Sequence, residues 1–106
     1  MLDHAAEAVA AAQGRTRSDL DSDRFFALAL VKLVEIIGEA AGRVSPTTQN
    51  AHARIPWKQI VGTRHRLVHG YDQVDFDVLW RIVAEELPVL ITELERILPD
   101  TPAGGS

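Results

Sequence analysis

The sequence contains no cysteine, and it has only one tyrosine and one methionine among its 106 residues. Without cysteine there is neither a disulfide framework nor a thiolate metal site, which favours a reducing compartment. Runs of about 18 or more apolar residues are also missing, so no membrane span is expected. The first 15 residues lack the cationic start and strongly apolar segment of a signal peptide. A cytoplasmic location is therefore expected.

Acidic residues are missing from one long stretch of the chain, whose overall net charge is −4. No aspartate or glutamate occurs between Glu39 and Asp72. The same stretch contains five cations and three histidines, namely Arg43, Arg54, Lys58, Arg64, Arg66, His52, His65 and His69. This basic strip on an acidic body suits the binding of a polyanion such as RNA. A solvated helical face accounts for the same pattern equally well.

The apolar residues, 46% of the chain, repeat with helical spacing and show no segment of period two. This pattern predicts a single all-α domain over residues 1–98, an up-and-down bundle of four to five helices, and a disordered tail at 99–106. Ser45 and Asp75 are predicted N-caps. Gly70 should end one helix, and Pro88 should kink or split the last one. The predicted helices cover residues 2–13, 22–43, a short segment after Ser45, 56–68 and 75–98.

The predicted helix at residues 22–43 is apolar on most of its faces. A helix with a single buried face needs only an apolar stripe, so this one should pack its other face against a second copy of the chain. The sequence therefore predicts a homodimer. Gly38 lowers the helix propensity of this segment, and it predicts a close approach of another backbone.

The stretch "RHRLVHGY" at residues 64–71 holds the side chains best suited to chemistry. Arg64 offers a permanent bidentate cation for a phosphate, and His69 can exchange protons near neutral pH. Together they suit metal-free cleavage of RNA, with the 2′-hydroxyl as nucleophile. On a regular helix they diverge by about 140°, so they meet if the helix ends before His69, if the Arg64 stem reaches around, or across two subunits. Cations that complement a helix C-terminus are the alternative, which the spacing alone favours.

Two further interpretations concern the same stretch. His65 and His69 are four residues apart, which is the spacing of a metal-binding pair. Arg64 and Arg66 flank His65, and their charge disfavours a divalent cation, so we expect no metal and no cofactor. Tyr71 is either a half-buried residue that anchors a turn or an exposed phenol beside the cations.

The stretch also resembles the Arg-x4-His-x-Tyr motif of HepT-type toxins, which belong to the HEPN superfamily (the DUF86 group). Three blocks resemble that family in the same order: "EIIGEAAGRVSP" at 35–46, "IPWKQIVGTRHRLVHGY" at 55–71 and "VDFDVLWRIVAEELPVLITELERIL" at 74–98. The resemblance covers nearly the whole chain. It implies a HEPN-type helical homodimer with composite active sites near the two-fold axis.

The resemblance also implies a function. It indicates the toxin of a type VII HEPN/nucleotidyltransferase toxin–antitoxin system, a metal-independent endoribonuclease acting on RNA such as tRNA or mRNA. Arg64 and His69 carry over as catalytic residues, and Tyr71 as the residue that a minimal nucleotidyltransferase antitoxin of the MntA type inactivates by AMPylation. The neighbouring residues Lys58, His65 and Arg66 are predicted to support RNA binding. The alternative is a non-catalytic subunit that binds nucleotide or substrate for a nucleotidyltransferase.

Overall fold

The computed structural model describes residues 1–68 and 73–97, and the regular secondary structure of this part of the chain is helical apart from one isolated β-bridge. The first half contains α1 (Leu2–Ala12), α2 (Asp19–Ser22) and α3 (Arg24–Gly42). The second half contains α4 (Pro46–Ala51), α5 (Trp57–Val61), α6 (Thr63–Leu67), α7 (Phe76–Arg81) and α8 (Leu87–Ile97). A π-helical turn at Ile82–Glu86 joins α7 to α8. The predicted all-α fold is confirmed.

Side-chain caps set the start of three of these helices. Asp23 and Ser45 each accept a hydrogen bond from the backbone N–H three residues later, at 3.1 and 3.2 Å. Asp75 accepts from the N–H groups of Asp77 and Val78 at the start of α7. Each cap satisfies donors that have no partner within the first helical turn. The predicted caps at Ser45 and Asp75 are confirmed.

Helix α3 is the central element of the bundle, because it packs against α1, α2, α5 and α6. Its buried face consists of Phe26, Ala27, Leu30, Val34, Ile37, Gly38 and Ala41. The opposite face leaves two large apolar side chains in solvent, with Phe25 83% exposed and Leu28 50% exposed. One chain therefore covers only part of this apolar helix, and the second copy expected there stays a prediction.

Gly38 lies at a close contact between α3 and the segment of α5 and α6. An ideal Cβ at this position would lie 2.7 Å from Thr63 Oγ1 and 3.1 Å from the Ile60 carbonyl oxygen. Real Cβ atoms do not approach other atoms so closely without a shift. The predicted close approach at Gly38 is confirmed. It allows α5 and α6 to pack directly against α3.

The predicted helix at 56–68 is divided into two short helices, which corrects the expectation of a continuous one. Gly62 separates α5 from α6 with φ −83° and ψ 4°, whereas a regular α-helix has ψ near −42°. Glycine disfavours a helix interior because it loses the most conformational freedom there. The Thr63 hydroxyl also donates a hydrogen bond to the Ile60 carbonyl at 2.9 Å. A side-chain donor therefore binds a carbonyl oxygen that a backbone N–H would bind in a regular helix.

Pro88 splits the last predicted helix, as expected. It is the second residue of α8 and follows the π-helical turn, in which the Leu87 N–H donates to the Ile82 carbonyl five residues earlier. Proline has no N–H to donate and its ring crowds the preceding turn, so a regular α-helix cannot continue through it. The wider π turn accommodates both effects.

The loop between α1 and α3 is tied to the start of α7 by charged side chains. Arg17 donates to Asp77 at 2.7 Å and to Asp21 at 3.0 Å. The hydrogen bond to Asp77 is the main reason that the pKa of Arg17 lies above its ordinary value. The contact fixes the entry to α7, which follows the motif in the chain.

Across residues 1–68 and 73–97, every helix is too short or too polar to cross a membrane. The tail predicted to be disordered, at 99–106, lies outside the described residues. So do His69, Gly70 and Tyr71 of the motif.

Candidate active site

Arg64 lies on the solvent side of α6. Thr63 and Leu67, four residues apart and 4% and 1% exposed, form the buried face of this helix. Arg64 and His65 are exposed. Because the two buried residues fix how α6 is turned, Arg64 faces outward, and it forms no ion pair with any residue that the structure describes.

The motif helix ends before His69, which is one of the conditions for Arg64 and His69 to meet. Helix α6 stops at Leu67, and Val68 is extended with φ −102° and ψ 121°. Val68 pairs with Val74 in an antiparallel bridge, and the Asp75 N–H donates to the Leu67 carbonyl at 2.7 Å. The chain therefore leaves α6 and returns to α7 at one place. His69 and Tyr71 belong to the segment between these two points and lie outside the described residues.

Three cations of the basic strip form ion pairs with carboxylates from other parts of the chain. The pairs are Arg43 with Glu39 at 3.4 Å, Arg54 with Glu93 at 3.5 Å, and Arg66 with Glu86 at 2.6 Å. Helices α3 and α8 and the π-helical turn supply these acids. Of the five cations, Lys58 and Arg64 are the two that form no ion pair with a residue in the described ranges.

Arg66 differs from Arg64 because its guanidinium is already engaged. Its Nη1 donates to Glu86 Oε1 at 2.8 Å and its Nη2 to Glu86 Oε2 at 2.6 Å, which is a bidentate pair. The Arg66 and Glu86 side chains are 28% and 25% exposed. The hydrogen bonding of Arg66 to the Glu86 carboxylate raises the pKa of Arg66 above its ordinary value. A role of Arg66 in RNA binding stays a prediction.

Two adjoining depressions flank the exposed part of α6. The first, the Arg64 cleft, is lined by Glu35, Gly38, Glu39, Gly42, Arg43, Val61, Thr63 and Arg64. The second, the Lys58 groove, is lined by Gly42, Gln49, Asn50, Ala53, Pro56, Trp57, Lys58, Gln59, Val61, Gly62 and His65. The two share Gly42 and Val61, and no carboxylate appears in the lining of the Lys58 groove. The predicted residues Lys58 and His65 therefore share one surface, next to the cleft that contains Arg64.

The described ranges hold no group of three or more His, Cys, Asp or Glu side chains placed to bind a metal ion. His69, the second residue of the predicted His65/His69 pair, lies outside those ranges.

Comparisons with known proteins identify the family of the chain. The family described as Ribonuclease HepT-like matches residues 1–97. The chain belongs to this HepT-like family. "Probable ribonuclease HepT" of Thermococcus cleftensis is 33% identical over 100 residues, which cover 91% of each chain. A relative with an RNase name from Caldanaerobacter subterraneus subsp. tengcongensis is 33% identical over 86 residues, 81% of this chain and 77% of its own. No solved structure shows a significant match.

Sequence reasoning missed Glu86, the residue that pairs with Arg66 of α6. The acids at positions 85 and 86 follow the helical pattern of α7 and resemble an ordinary solvated pair. Pro88 was the available signal, because a proline disrupts the regular helix in the turn before it and changes which side chains face α6. Glu35 and Glu39 also line the Arg64 cleft, and neither belongs to a motif that would single it out in the sequence.

Proposed function

We propose that this HepT-like protein is the toxin of a type VII HEPN/nucleotidyltransferase system and that it cleaves RNA without a metal ion. The observation that carries the proposal is Arg64, which is exposed on α6 and unpaired among the described residues. It occupies the arginine position of the Arg-x4-His-x-Tyr motif. The family match over residues 1–97 and the ribonuclease names of the relatives support the same activity.

The proposed reaction is an internal transesterification of RNA. His69 takes the proton from a 2′-hydroxyl, and the 2′-oxygen forms a bond to the adjacent phosphorus. The bond from phosphorus to the 5′-oxygen breaks, and this oxygen leaves with a proton taken from solvent water. Arg64 donates hydrogen bonds to the non-bridging oxygens, whose negative charge must be held in the transition state. The products carry a 2′,3′-cyclic phosphate and a 5′-hydroxyl.

The rest of the RNA is proposed to bind along the surface beside Arg64. Lys58 and His65 share a groove without carboxylates next to the Arg64 cleft, so this groove suits a phosphate backbone. The carboxylates of Glu35 and Glu39 line the α3 side of the Arg64 cleft. Their negative charge would repel an RNA backbone on that side. A second copy of the chain completes the site in this proposal, and the exposed Phe25 and Leu28 on α3 support such an association.

Cleavage of a fluorescent RNA by the purified protein tests the reaction. Replacing His69 with alanine should lower kcat by about 10²–10⁴-fold, the usual contribution of a positioned proton carrier. Replacing Arg64 with alanine should lower kcat by about 10²–10³-fold, because a transition-state donor is lost. EDTA should leave the rate unchanged. Mass spectrometry of the products should find the cyclic phosphate.

Arg96→Ala is the matched control, because Arg96 is an exposed arginine outside the motif whose side chain is 57% exposed. It should cleave at the wild-type rate. Cleavage that EDTA abolishes, or cleavage of a DNA oligonucleotide of the same sequence, would exclude this mechanism. A protein that binds a nucleotidyltransferase but never cleaves RNA would instead be the non-catalytic helper subunit.

The proposal extends to Tyr71 as an off-switch. The Tyr71 oxygen attacks the α-phosphorus of ATP on the cognate nucleotidyltransferase, pyrophosphate leaves, and a tyrosyl-AMP phosphodiester forms. The new anion follows the motif helix that carries Arg64, so the arginine that holds RNA phosphate can pair with it instead. Modification then blocks the site by charge and by bulk.

Intact-mass spectrometry after incubation with the nucleotidyltransferase and ATP tests this switch. The wild type should gain at least one adenylyl group and lose RNA cleavage. Tyr71→Phe removes the only phenol of the chain, so it should gain none and should still cleave. Modification at a serine or threonine, or a modified protein that still cleaves RNA, would refute the proposal.

A further inference from the structure

The ion pair between Arg66 and Glu86 joins the motif helix to an element far away in the chain, since the two residues are 20 positions apart. We propose that Arg66 and Glu86 are positioning residues, which hold α6 so that Arg64 faces the RNA. In this role Arg66 does not bind RNA itself. The inference rests on the proposed ribonuclease function and assigns the pair a part in it.

Helix α6 needs such a support because it has little stability of its own. It spans five residues, and no side chain caps its N-terminus at Gly62. Isolated helices of this length do not form in water, so contacts with the rest of the fold must hold it. Its C-terminal side continues directly into extended chain at Val68. If the contacts that hold α6 are lost, the position of Arg64 should therefore change, because Arg64 lies within the same short helix.

The buried residues and the ion pair support different sides of α6. Thr63 and Leu67 hold its inner face against the core. Arg64 and Arg66 lie about 200° apart around the helix axis, so they point in nearly opposite directions. The guanidinium of Arg66 is held at two points by Glu86. A two-point contact on the side opposite Arg64 resists rotation of α6, and this rotation would turn Arg64 away from its substrate.

The π-helical turn explains why Glu86 can provide this contact. Glu86 is the last residue of Ile82–Glu86, directly before α8 and two residues before Pro88. A π turn winds more slowly than an α-helix, so it changes the direction of the side chains that follow. The carboxylate is also partly buried, which weakens screening by solvent and favours a lasting ion pair. Such turns occur often at functional sites.

The positioning role and an RNA-binding role of Arg66 predict opposite results for Glu86→Gln. If Arg66 binds RNA, loss of the carboxylate frees its guanidinium, and KM should fall or stay the same with kcat retained. If the pair positions α6, the same change loosens the helix. The rate kcat should then fall by about 10–100-fold, since small misplacements of a catalytic group have effects of this size. KM should change little.

Steady-state cleavage of the same fluorescent RNA compares the wild type, Glu86→Gln, Arg66→Gln and the charge-reversed double variant Arg66→Glu/Glu86→Arg. Both single variants should lose kcat, and the double variant should regain at least part of it because the ion pair is restored in reverse. Hydrogen exchange should show faster exchange of the α6 amides in Glu86→Gln, with the amides of α1 unchanged. The control is Glu93→Gln, which removes a different ion pair, to Arg54 at 3.5 Å, from α8. It should retain the wild-type kcat.

The outcomes separate this inference from the function on which it rests. If the wild type cleaves RNA and Arg64→Ala does not, the proposed function holds. Wild-type kcat in Glu86→Gln would then overturn the positioning role alone, and so would a lower KM in that variant. A double variant as slow as Arg66→Gln, with wild-type melting, would overturn it as well. A wild-type protein that cleaves no RNA would overturn the proposed function and this inference with it.

Discussion

At the scale of single residues, Arg64 and Arg66 show how neighbouring side chains of one type come to differ. Both are arginines of the basic strip, separated only by His65. Arg64 is exposed without an ion pair among the described residues, whereas Arg66 is held by the two oxygens of Glu86. The difference comes from the opposite sides of α6 on which they lie. The partner of Arg66 is an acid 20 residues away, so local sequence cannot reveal this contact.

The packing of α5 and α6 against α3 depends on the absence of a side chain at Gly38. We expect Gly38→Ala to destabilise the fold, although alanine favours a helix by up to about 1 kcal/mol. The new Cβ would lie 2.7 Å from the oxygen of a buried, β-branched threonine, Thr63, which has little freedom to move. Overpacking of this kind costs about 1–3 kcal/mol, so the net free energy of unfolding should fall. Urea denaturation measures the change.

Gly42→Ala is the matched control on the same helix. There the nearest atom to an added Cβ is Val61 Cγ1 at 3.9 Å, which is an ordinary contact. This variant should be as stable as the wild type or slightly more so. Equal stability of the Gly38 and Gly42 variants would show that α3 and α6 are less tightly packed than the structure indicates.

At the scale of helices, the sequence predicted the elements well where local signals define them. The long apolar helix α3 and the caps at Ser45 and Asp75 follow from residues within a few positions of each boundary. The division at Gly62 was not predicted, because it depends on the Thr63 hydroxyl reaching the Ile60 carbonyl in a packed setting.

In the last predicted helix, the sequence predicted that a break occurs but not its form. Pro88 predicted that the helix would be split, and it is. The form of the split was not predictable, since a proline can produce a kink, a break or a π turn. The π turn places Glu86 against Arg66, and this contact is the part of the candidate site that spacing and composition did not indicate. For the motif itself, the sequence named Arg64, which the structure places on the exposed side of α6.

At the scale of the whole molecule, the exposed apolar face of α3 is relevant to the oligomeric state of the protein. Phe25 is 83% exposed and Leu28 is 50% exposed, although α3 is the central helix of the bundle. Exposed large apolar side chains grouped on one helix are typical of a surface that another protein covers. The charged side chains of Lys32 and Glu39 interrupt this face farther along α3. The contact between copies should therefore centre on the first half of the helix.

We expect the protein to be a homodimer at micromolar concentration. Light scattering coupled to size exclusion should give about twice the chain mass of 11.7 kDa. Phe25→Asp places a charge on the exposed apolar part of α3, where burial in an interface would leave it unpaired. This variant should shift to the mass of one chain while its circular dichroism stays helical. If composite sites form across the dimer, it should also lose RNA cleavage.

Val89→Asp distinguishes an effect on this surface from a general effect of added charge. Val89 is likewise a large exposed apolar residue, 56% exposed, but it lies on α8. Its aspartate variant should remain a dimer and should cleave RNA at the wild-type rate. A wild type that scatters as a single chain would remove the dimer and any site shared between two copies, and Arg64 and His69 would then have to act within one chain. A monomeric Val89→Asp beside a dimeric Phe25→Asp would move the interface from α3 to α8.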